Sequence, residues 1–323
     1  MEINIHNQTV FVAPLDWGLG HTTRCVPIIT QLLKNNNKVV LGNTKTSEAV
    51  FAEEFPQLTR VSLPEYNITY SQTLSLWLSL LFQFPRFKTI IRQENILLNQ
   101  IIKEHKIDVV ISDNRYGLFH PSIRSIILCH QLNLKTPFFQ KSLNTYHQHV
   151  LKMFTEIWVP DYENKSQSLA GDLSANTTLP NCKYIGSLSR LKKIELPKKY
   201  DYLFLLSGPE PKQTQLLNQV IDKIKKSNLN AAIVTSSNMP AQKEGTLFRL
   251  PNNLLLSELI AQSETIVCRS GYSTLMDMHF LQKKKLILIP TKGQSEQEYL
   301  ANYWKVQFNS IVLQEDKIQT YNF

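Results

Sequence analysis

The sequence is poor in cysteine and has no long apolar run, and each of these absences argues against a class of site or protein. Its 323 residues include four cysteines, Cys25, Cys129, Cys182 and Cys268. No two of them form a CxxC pair, which argues against a zinc site and for a reducing compartment. The longest apolar segment, Leu74–Phe84, has 11 residues and is too short to cross a bilayer.

Further absences concern location and partners. The first residues lack a basic region followed by an apolar stretch and a cleavage site, so we expect no signal peptide and a cytoplasmic protein. The 35 Lys and Arg residues outnumber the 26 Asp and Glu residues, for a formal net charge of +9. That balance suits nucleic acid, an anionic membrane or a phosphate-bearing substrate. Because no arginine-rich stretch interleaved with aromatic residues is present, we do not expect a nucleic-acid partner.

Short apolar runs alternate with longer helical patterns, which indicates parallel α/β architecture. One unit begins with the strand pattern Thr9–Pro14 and a second begins at Asp201–Leu206. The intervening residues 157–199 contain three prolines and few periodic positions. We therefore predict domains of residues 1–156 and 200–323, joined by a connection over 157–199 and separated by a cleft. Ligands of open parallel sheets bind beyond the carboxyl ends of the strands, where the motifs below all lie.

In the first domain, the phrase DWGLGH at Asp16–His21 follows the first strand and opens a helix. Gly18 and Gly20 permit close approach of the backbone to a ligand, and a helix N-terminus attracts an anion or a sugar hydroxyl. His21 is expected to project from the first helical turn. The dinucleotide pattern G-x-G-x-x-G fails because Thr23 stands where the third glycine is needed. A plain turn with a capping residue is the structural alternative.

Three segments of the second domain also follow strand patterns: SGPEP at residues 207–211, CRSGYSTLMD at 268–277 and PTKGQSEQEYLA at 290–301. Glycine and small hydroxyl residues at a helix N-terminus suit a diphosphate, while carboxylates and carboxamides suit ribose and sugar hydroxyls. Ordinary strand-to-helix turns and helix capping are the alternatives. The candidate ligand contacts are Ser207, Gly208, Arg269, Ser270, Gly271, Ser273, Thr274, Asp277, Gln294, Gln297 and Glu298.

The phrases CRSGYSTLMD and LIPTKGQSEQEYLA together resemble the donor-binding region of GT-B glycosyltransferases, which have two Rossmann-like α/β domains facing across a cleft. Within that fold they resemble the bacterial enzymes that transfer N-acetylglucosamine onto lipid-linked muramyl pentapeptide. The phrases DWGLGHTTR and DNRYG extend the resemblance into the first domain. The resemblance implies an acceptor-side first domain and a nucleotide-sugar-binding second domain.

Matched residue by residue, the resemblance puts Ser270 and Gly271 at the diphosphate and Asp277, where the family usually has Glu, at the ribose. It puts Gln297 and Glu298 where a Gln-Gln pair of the family contacts the donor sugar. Because Glu298 replaces a Gln, the identity of the donor sugar is left open.

The same matching puts Leu250–Asn253, and with it Asn253, at the uracil edge. It puts His21 near the acceptor and the donor phosphate. SGPEP stands in place of a Gly-rich loop, which leaves open how Ser207 and Gly208 would meet the phosphates.

The resemblance implies a glycosyltransferase that uses a nucleotide-sugar, in particular a UDP-sugar such as UDP-N-acetylglucosamine, as co-substrate and no other cofactor. Because no DxD motif is present, we expect metal-independent transfer, with helix N-termini and Arg269 stabilising the departing nucleotide. Inversion at the sugar needs a base, for which His21 and Asp113 are the candidates, with Arg115 as a partner of either. Asp113 follows the strand pattern Asp108–Ser112, and a turn carboxylate bonded to nearby backbone is its structural alternative.

The acceptor is less determined, and we expect a glycan or lipid-linked acceptor of the cell envelope. The apolar Leu74–Phe84 and the basic residues after it could contact the inner face of a membrane; a buried helix is the alternative. Two other functions fit the same motifs. One is a UDP-sugar 2-epimerase of GT-B shape, and the other is a non-catalytic nucleotide-sugar-binding protein.

Overall fold

The computed structural model of the protein describes residues 3–68, 76–136, 138–176, 178–208, 210–235, 247–249 and 252–323, with backbone alone over 76–82. The chain divides into two compact units, Met1–Ser189 and Arg190–Phe323. Each unit is built on a parallel sheet of its own, as the alternation of strand and helix patterns predicts.

The first unit carries seven described strands and four described helices. The strands are β1 (Thr9–Pro14), β2 (Lys38–Asn43), β3 (Thr59–Ser62), β4 (Val109–Asp113), β5 (Arg124–Leu128), β6 (Glu156–Val159) and β7 (Cys182–Tyr184). The helices are α1 (Leu19–Lys34), α2 (Lys45–Glu54), α3 (Leu76–His105) and α4 (Gln140–Leu151). The strand order is β3-β2-β1-β4-β5-β6-β7. The central strands β1 and β4 are almost wholly buried, as expected for parallel strands covered on both faces.

Residues 157–189 of the interval 157–199, which was expected to connect the domains, belong to the first unit and complete its sheet. Ile157 of β6 pairs with Ile127 of β5 and with Cys182 of β7. These strands have only four and three residues, so they carry too little periodicity to be recognised in the sequence. The boundary between the units follows Ser189, ten residues before the predicted end of the connection.

The second unit carries six described strands and four described helices. The strands are β8 (Tyr200–Leu206), β9 (Ala231–Thr235), β10 (Leu247–Arg249), β11 (Ser263–Cys268), β12 (Leu286–Leu288) and β13 (Ile311–Val312). The helices are α5 (Lys212–Ser227), α6 (Asn253–Ala261), α7 (Tyr272–Phe280) and α8 (Ser295–Gln307). The strand order is β10-β9-β8-β11-β12-β13. Its core is formed by buried apolar residues of the sheet and α5, among them Phe204, Leu216, Val220 and Val267.

Helix α3 continues through Pro85. The predicted membrane segment Leu74–Phe84 falls mostly outside the described residues and side chains, so membrane contact stays a prediction. Within the part of the chain that is described, no helix is both long and apolar enough to cross a membrane.

Both sheets follow the same chain path. In each, the first strand lies inside the sheet, the next two strands are added on one side of it, and the remaining strands are added on the other. The direction of addition therefore reverses between β1 and β4 in the first unit and between β8 and β11 in the second. Ligands of open α/β sheets bind at the carboxyl ends of strands at such switch points, so each unit has one candidate site.

Candidate active site

On the first unit, the switch point brings His21 and Asp113 together. Pro14 at the end of β1 pairs with Asp113 at the end of β4, and the Leu15 N–H donates to the Asp113 carbonyl at 3.0 Å. His21 is the third residue of α1, which begins five residues after β1 ends. Its Nδ1 lies 3.2 Å from Asp113 Oδ1. The two predicted catalytic residues are therefore neighbours.

Arg24, one turn after His21 on α1, is the third member of this site and was not predicted. Its Nε donates to Asp113 Oδ2 at 2.7 Å and its Nη2 donates to Oδ1. Both side chains are buried, and a bidentate pair of this kind is a strong interaction. Burial by itself would raise the pKa of Asp113, but the charges of Arg24 and His21 outweigh it and lower the pKa to about 2. Residues three apart share a helix face, and this spacing was the signal available in the sequence.

Asp113 is consequently a buried, ionised carboxylate engaged by side chains of α1. This placement differs from the turn carboxylate that was the structural alternative. It also separates the roles of the two candidate bases, because a carboxylate that is 0% exposed can orient His21 but is closed to a substrate.

The His21 ring can use its Nδ1 in two ways. An Nδ1–H can donate to Asp113 Oδ1 at 3.2 Å, which leaves a free lone pair on Nε2. Alternatively, Nδ1 accepts from Arg24 Nη2 at 2.8 Å, and Nε2 then carries the hydrogen. Burial and the Arg24 charge lower the pKa of His21 below its usual 6.5, against the opposing effect of Asp113. The ring is therefore neutral at pH 7, and its side chain keeps 17% exposure.

Arg115, expected to pair with His21 or Asp113, belongs to a separate buried network. Its Nη1 donates to Glu94 Oε1 at 2.7 Å, and its Nη2 lies 3.4 Å from Asp16 Oδ1. Glu94 also accepts from the Tyr66 hydroxyl at 3.1 Å and from the Gly117 N–H at 3.1 Å. These contacts fix the DNRYG phrase against α3 and the DWGLGH turn. Arg115 therefore has a structural role and stabilises the loop that follows Asp113.

The turn before α1 is exposed and apolar at the same time. Gly18 has φ 107° and ψ 168°, a region open essentially to glycine alone. Trp17 and Leu19 on either side are 42% and 37% exposed. Gly20 falls inside α1, where its carbonyl accepts from the Thr23 hydroxyl at 3.2 Å. Gly18 therefore provides the bend, and its neighbours present apolar surface next to the His21 turn.

On the second unit, Gly271 lies at the switch point as the N-cap of α7. Its φ of −71° and ψ of 138° can be adopted by any residue. A Cβ added there would meet no atom of the described residues within 4 Å. Neither conformation nor packing in the described chain requires glycine at this place. Two physical reasons for glycine remain, its preference over alanine at an N-cap and close approach of a ligand to the backbone.

The two residues before Gly271 have structural partners that sequence patterns could not reveal. The Ser270 hydroxyl is buried and donates to the Gln297 carbonyl at 2.7 Å, so its hydrogen is already used. Arg269 is 3% exposed, and its Nη1 donates to Glu315 Oε2 at 2.9 Å and to the Ile289 carbonyl at 3.2 Å. Stabilisation of a departing nucleotide by the Arg269 guanidinium does not fit this placement.

The loop between β12 and α8 is held by the side chains expected to contact the sugar. Gln297 Oε1 accepts from the Thr291 N–H at 3.0 Å, and Gln297 Nε2 donates to Gln294 Oε1 at 2.5 Å. Glu298 Oε1 accepts from the Gly293 N–H at 2.8 Å. Both polar groups of Gln297, the Gln294 oxygen and one Glu298 oxygen thus hold the loop. A loop ordered in this way needs less rearrangement to bind a ligand.

Ser207 and Gly208 follow β8, on the other side of the switch point from Gly271. Both are exposed, and Gly208 has φ 130°, which favours glycine. The nearby Lys212 Nζ donates to the Lys292 carbonyl at 3.3 Å. This contact and the one from Ser270 bring all three predicted segments of the second unit to one edge of its sheet.

The remaining candidates lie on α6 and α7. Ser273, Thr274 and Asp277 are half-buried and share one face of α7, whose other face is buried. Asn253 is the first residue of α6. The first two residues of the uracil segment 250–253 lie outside the described residues, so its contact with the base stays a prediction.

Cysteine and metal chemistry receive no support in the described part of the chain. Cys25 Sγ lies 3.8 Å from Asp113 Oδ2, and burial together with that carboxylate raises the pKa of its thiol, so it stays protonated. Among the described residues, no group of three or more His, Cys, Asp or Glu side chains is placed to hold a metal ion.

A comparison with known protein families matches one part of the chain. Residues 212–322 match the Glycosyltransferase family 28 C-terminal domain, which places the match within the second unit. No curated protein sequence matches the chain.

Solved structures show the same fold at low sequence identity. The calicheamicin glycosyltransferase superposes with a TM-score of 0.67 at 11% identity, covering 97% of this chain and 87% of that one. Spinosyn rhamnosyltransferase gives 0.66 at 12% identity, covering 97% and 88%. MurG of Acinetobacter baumannii gives 0.56 at 11% identity, covering 97% and 88%. The fold is that of GT-B glycosyltransferases, and with the matched domain it indicates a glycosyltransferase.

Proposed function

We propose that the protein transfers a sugar from a nucleotide-sugar to a hydroxyl of a glycan or lipid-linked acceptor of the cell envelope. The donor is a UDP-sugar such as UDP-N-acetylglucosamine, and the transfer inverts the anomeric carbon without a cofactor or metal ion. The observation that carries the proposal is the contact of the neutral His21 ring with the buried, ionised Asp113 at a switch point. This arrangement is a base with the group that orients it.

The donor is assigned to the second unit. The N-terminus of α7 offers backbone N–H groups and a partial positive charge to a diphosphate, and Gly271 leaves the space for it. Ser273 and Thr274 are placed on the same face, with Asp277 one turn further along for the ribose hydroxyls. The family 28 match covers all of these residues.

The sugar is assigned to the loop before α8. Gln294, Gln297 and Glu298 hold this loop together and carry further donor and acceptor capacity for sugar hydroxyls. Glu298 is exposed at the first turn of α8, where its carboxylate can accept hydrogen bonds from sugar hydroxyls or from an acetamido N–H.

In the transfer step, His21 Nε2 takes the proton of the acceptor hydroxyl. The oxygen bonds to the anomeric carbon as the bond from that carbon to the diphosphate breaks. The step requires the tautomer in which Nδ1–H donates to Asp113 and Nε2 is unprotonated. As Nε2 gains its proton, Asp113 stabilises the cationic ring, while the α7 N-terminus stabilises the departing diphosphate.

The acceptor is assigned to the apolar turn of the first unit. Trp17 and Leu19 are exposed four and two residues before His21, so an acceptor bound there would lie close to the base. An indole ring suits the apolar face of a sugar or a lipid carrier. We propose that the enzyme works in the cytoplasm, at the inner face of the membrane when its acceptor is lipid-linked.

The donor is tested first, with a thermal-shift panel of UDP-, GDP- and dTDP-sugars. A ligand that binds only the folded protein stabilises it by mass action, so UDP-sugars should raise the melting temperature most. Turnover is then measured as UDP release with a cell-envelope extract. His21→Ala should lower it about 100-fold or more while donor affinity stays near wild type.

The matched control is His149→Ala, which removes an exposed histidine from α4 and should leave turnover unchanged. Equal UDP release by His21→Ala and wild type would remove His21 from the mechanism. Release of UDP and a 2-epimer without any extract would indicate an epimerase instead, and donor binding without release would indicate a binding protein.

A further inference from the structure

The second unit has a basic cavity at the edge of its sheet opposite to the candidate donor site. Lys198 lies two residues before β8, and Lys283–Lys285 directly precede β12, so these side chains belong to the amino ends of the strands. Two adjoining hollows of about 400 and 330 Å³ share Lys283 and Glu195 in their linings. The first also includes Lys198, and the second includes Lys192 and Lys193.

Two ammonium groups converge at this cavity. Lys198 Nζ donates to the carbonyls of Ala261 and Ser263 at 2.9 and 2.8 Å. Lys283 Nζ donates to the same Ser263 carbonyl at 3.3 Å. Partial burial and the neighbouring Lys198 lower the pKa of Lys283 to about 8. Within the described residues, neither group forms an ion pair with a carboxylate.

Helix capping explains part of this arrangement. Helix α6 ends at Ala261, and a lysine on the last carbonyls of a helix is favourable. Capping needs only Lys198, however, and it does not explain why Lys283 approaches the same oxygen against electrostatic repulsion.

The surrounding charges offset that repulsion only in part, because the Glu264 carboxylate acts on both Lys198 and Lys283. Six lysines and two glutamates line the two hollows. One of the glutamates, Glu264, is already paired with Lys285 at 2.6 Å. The lysines of the lining therefore outnumber its glutamates six to two, and the cavity keeps an excess of positive charge.

We propose that this cavity binds a phosphate-bearing anion between Lys198 and Lys283. Phosphate oxygens would accept from both ammonium groups and screen them from each other. Lys192, Lys193 and Lys284 add positive charge at the rim, while Ile194, Leu196 and Leu281 offer apolar surface to the rest of the ligand. The ligand is a phosphate ester or diphosphate, either free or as the headgroup of an anionic lipid.

This site does not depend on the proposed transfer reaction. It lies at the amino ends of β8, β11 and β12, whereas Gly208, Gly271 and Gln297 follow the carboxyl ends of the same strands. The two sites can therefore be occupied, mutated and measured separately.

The test is a calorimetric titration of the full chain with pyrophosphate, with UDP at saturating concentration to occupy the donor edge. The double variant Lys283→Gln/Lys284→Gln should weaken pyrophosphate binding about tenfold or more, since it removes charge-assisted hydrogen bonds. The control double variant Lys226→Gln/Lys305→Gln removes the same charge from exposed positions on α5 and α8 and should bind like wild type. Circular dichroism checks the folding of both.

If the first variant does not fold, the exposed pair Lys192→Gln/Lys193→Gln takes its place and should also weaken binding. A parallel flotation assay compares phosphatidylglycerol with phosphatidylcholine vesicles. Selective binding to phosphatidylglycerol, lost in the cavity variant and competed by pyrophosphate, identifies a lipid headgroup, whereas pyrophosphate binding alone identifies a free phosphate. Absence of wild-type binding to both probes, or equal loss in cavity and control variants, would overturn the proposal.

Discussion

The substitution Gly271→Ala tests whether glycine is needed at this position for ligand binding or for the backbone conformation. The backbone at Gly271 has φ −71° and ψ 138°, which alanine adopts without strain. The added Cβ meets no described atom within 4 Å. Alanine is a poorer N-cap than glycine by about 0.5–1 kcal/mol, but it also lowers the entropy of the unfolded chain by about 0.4–1 kcal/mol. The free energy of unfolding should therefore change by less than about 1 kcal/mol.

Donor binding should respond quite differently to the same methyl group. If a diphosphate lies against the Gly271 backbone, the methyl group displaces it from the N–H groups of α7. Loss of one hydrogen bond to a charged group costs about 1.5–3 kcal/mol, which corresponds to roughly a 10- to 100-fold rise in Kd. Calorimetric titration with UDP measures the affinity, and urea unfolding measures the stability.

Gly18→Ala is the matched comparison, because its Cβ also meets no described atom within 4 Å but its φ is 107°. It should lose about 1–3 kcal/mol of stability through backbone strain and keep its affinity for UDP. An unchanged Kd in Gly271→Ala would refute the inference that a ligand occupies the space beside Gly271. A loss of stability as large as that of Gly18→Ala would refute the packing argument.

Two further substitutions test the first unit. Glu94→Gln should lower the free energy of unfolding by about 3–5 kcal/mol, because it leaves the buried Arg115 without its main ion-pair partner. Urea unfolding measures this free energy. A value within about 1 kcal/mol of wild type, as expected for an exposed ion pair, would contradict the prediction. Burial and the Arg24 charge lower the pKa of His21. In the proposed mechanism the neutral ring is the active form, so turnover should decline only as the pH falls below 6.5. Arg24→Met should shift that decline to higher pH and Arg24→Lys should not. Initial rates between pH 5 and 8 measure the pH dependence of turnover for each variant. Identical pH profiles for Arg24→Met and wild type would exclude an effect of Arg24 on the pKa of His21.

The architecture of both units was largely predictable because its signals are local. Thr9–Pro14 is an apolar run rich in β-branched residues and forms a strand at the predicted bounds. The predicted strand Asp201–Leu206 also forms, with one more residue at its start. Strands β6 and β7 were missed because three or four residues have no recognisable period. Their assignment depends on pairing with β5, which only the folded chain provides.

The candidate site of the first unit was likewise predictable in part. The sequence placed glycine turns, His21 and Asp113 at strand ends, and parallel strands must meet at one edge, so their convergence was predictable. It did not distinguish Asp113 from His21 as the base, because both are polar residues at strand ends. The burial of Asp113 and its pairing with Arg24 made that distinction.

By itself, the sequence determined two successive parallel α/β units and the turns between their strands and helices, since strand periodicity, glycine and helix starts are properties of short segments. Only the tertiary structure decided which polar side chain meets which. Arg24 and Asp113 are 89 residues apart and Arg269 and Glu315 are 46 apart, and the Ser270 hydroxyl donates to a carbonyl 27 residues away. Such pairs form because sheet order brings distant strand ends to one edge, where a buried polar group must find a partner, and no local pattern encodes which partner that is.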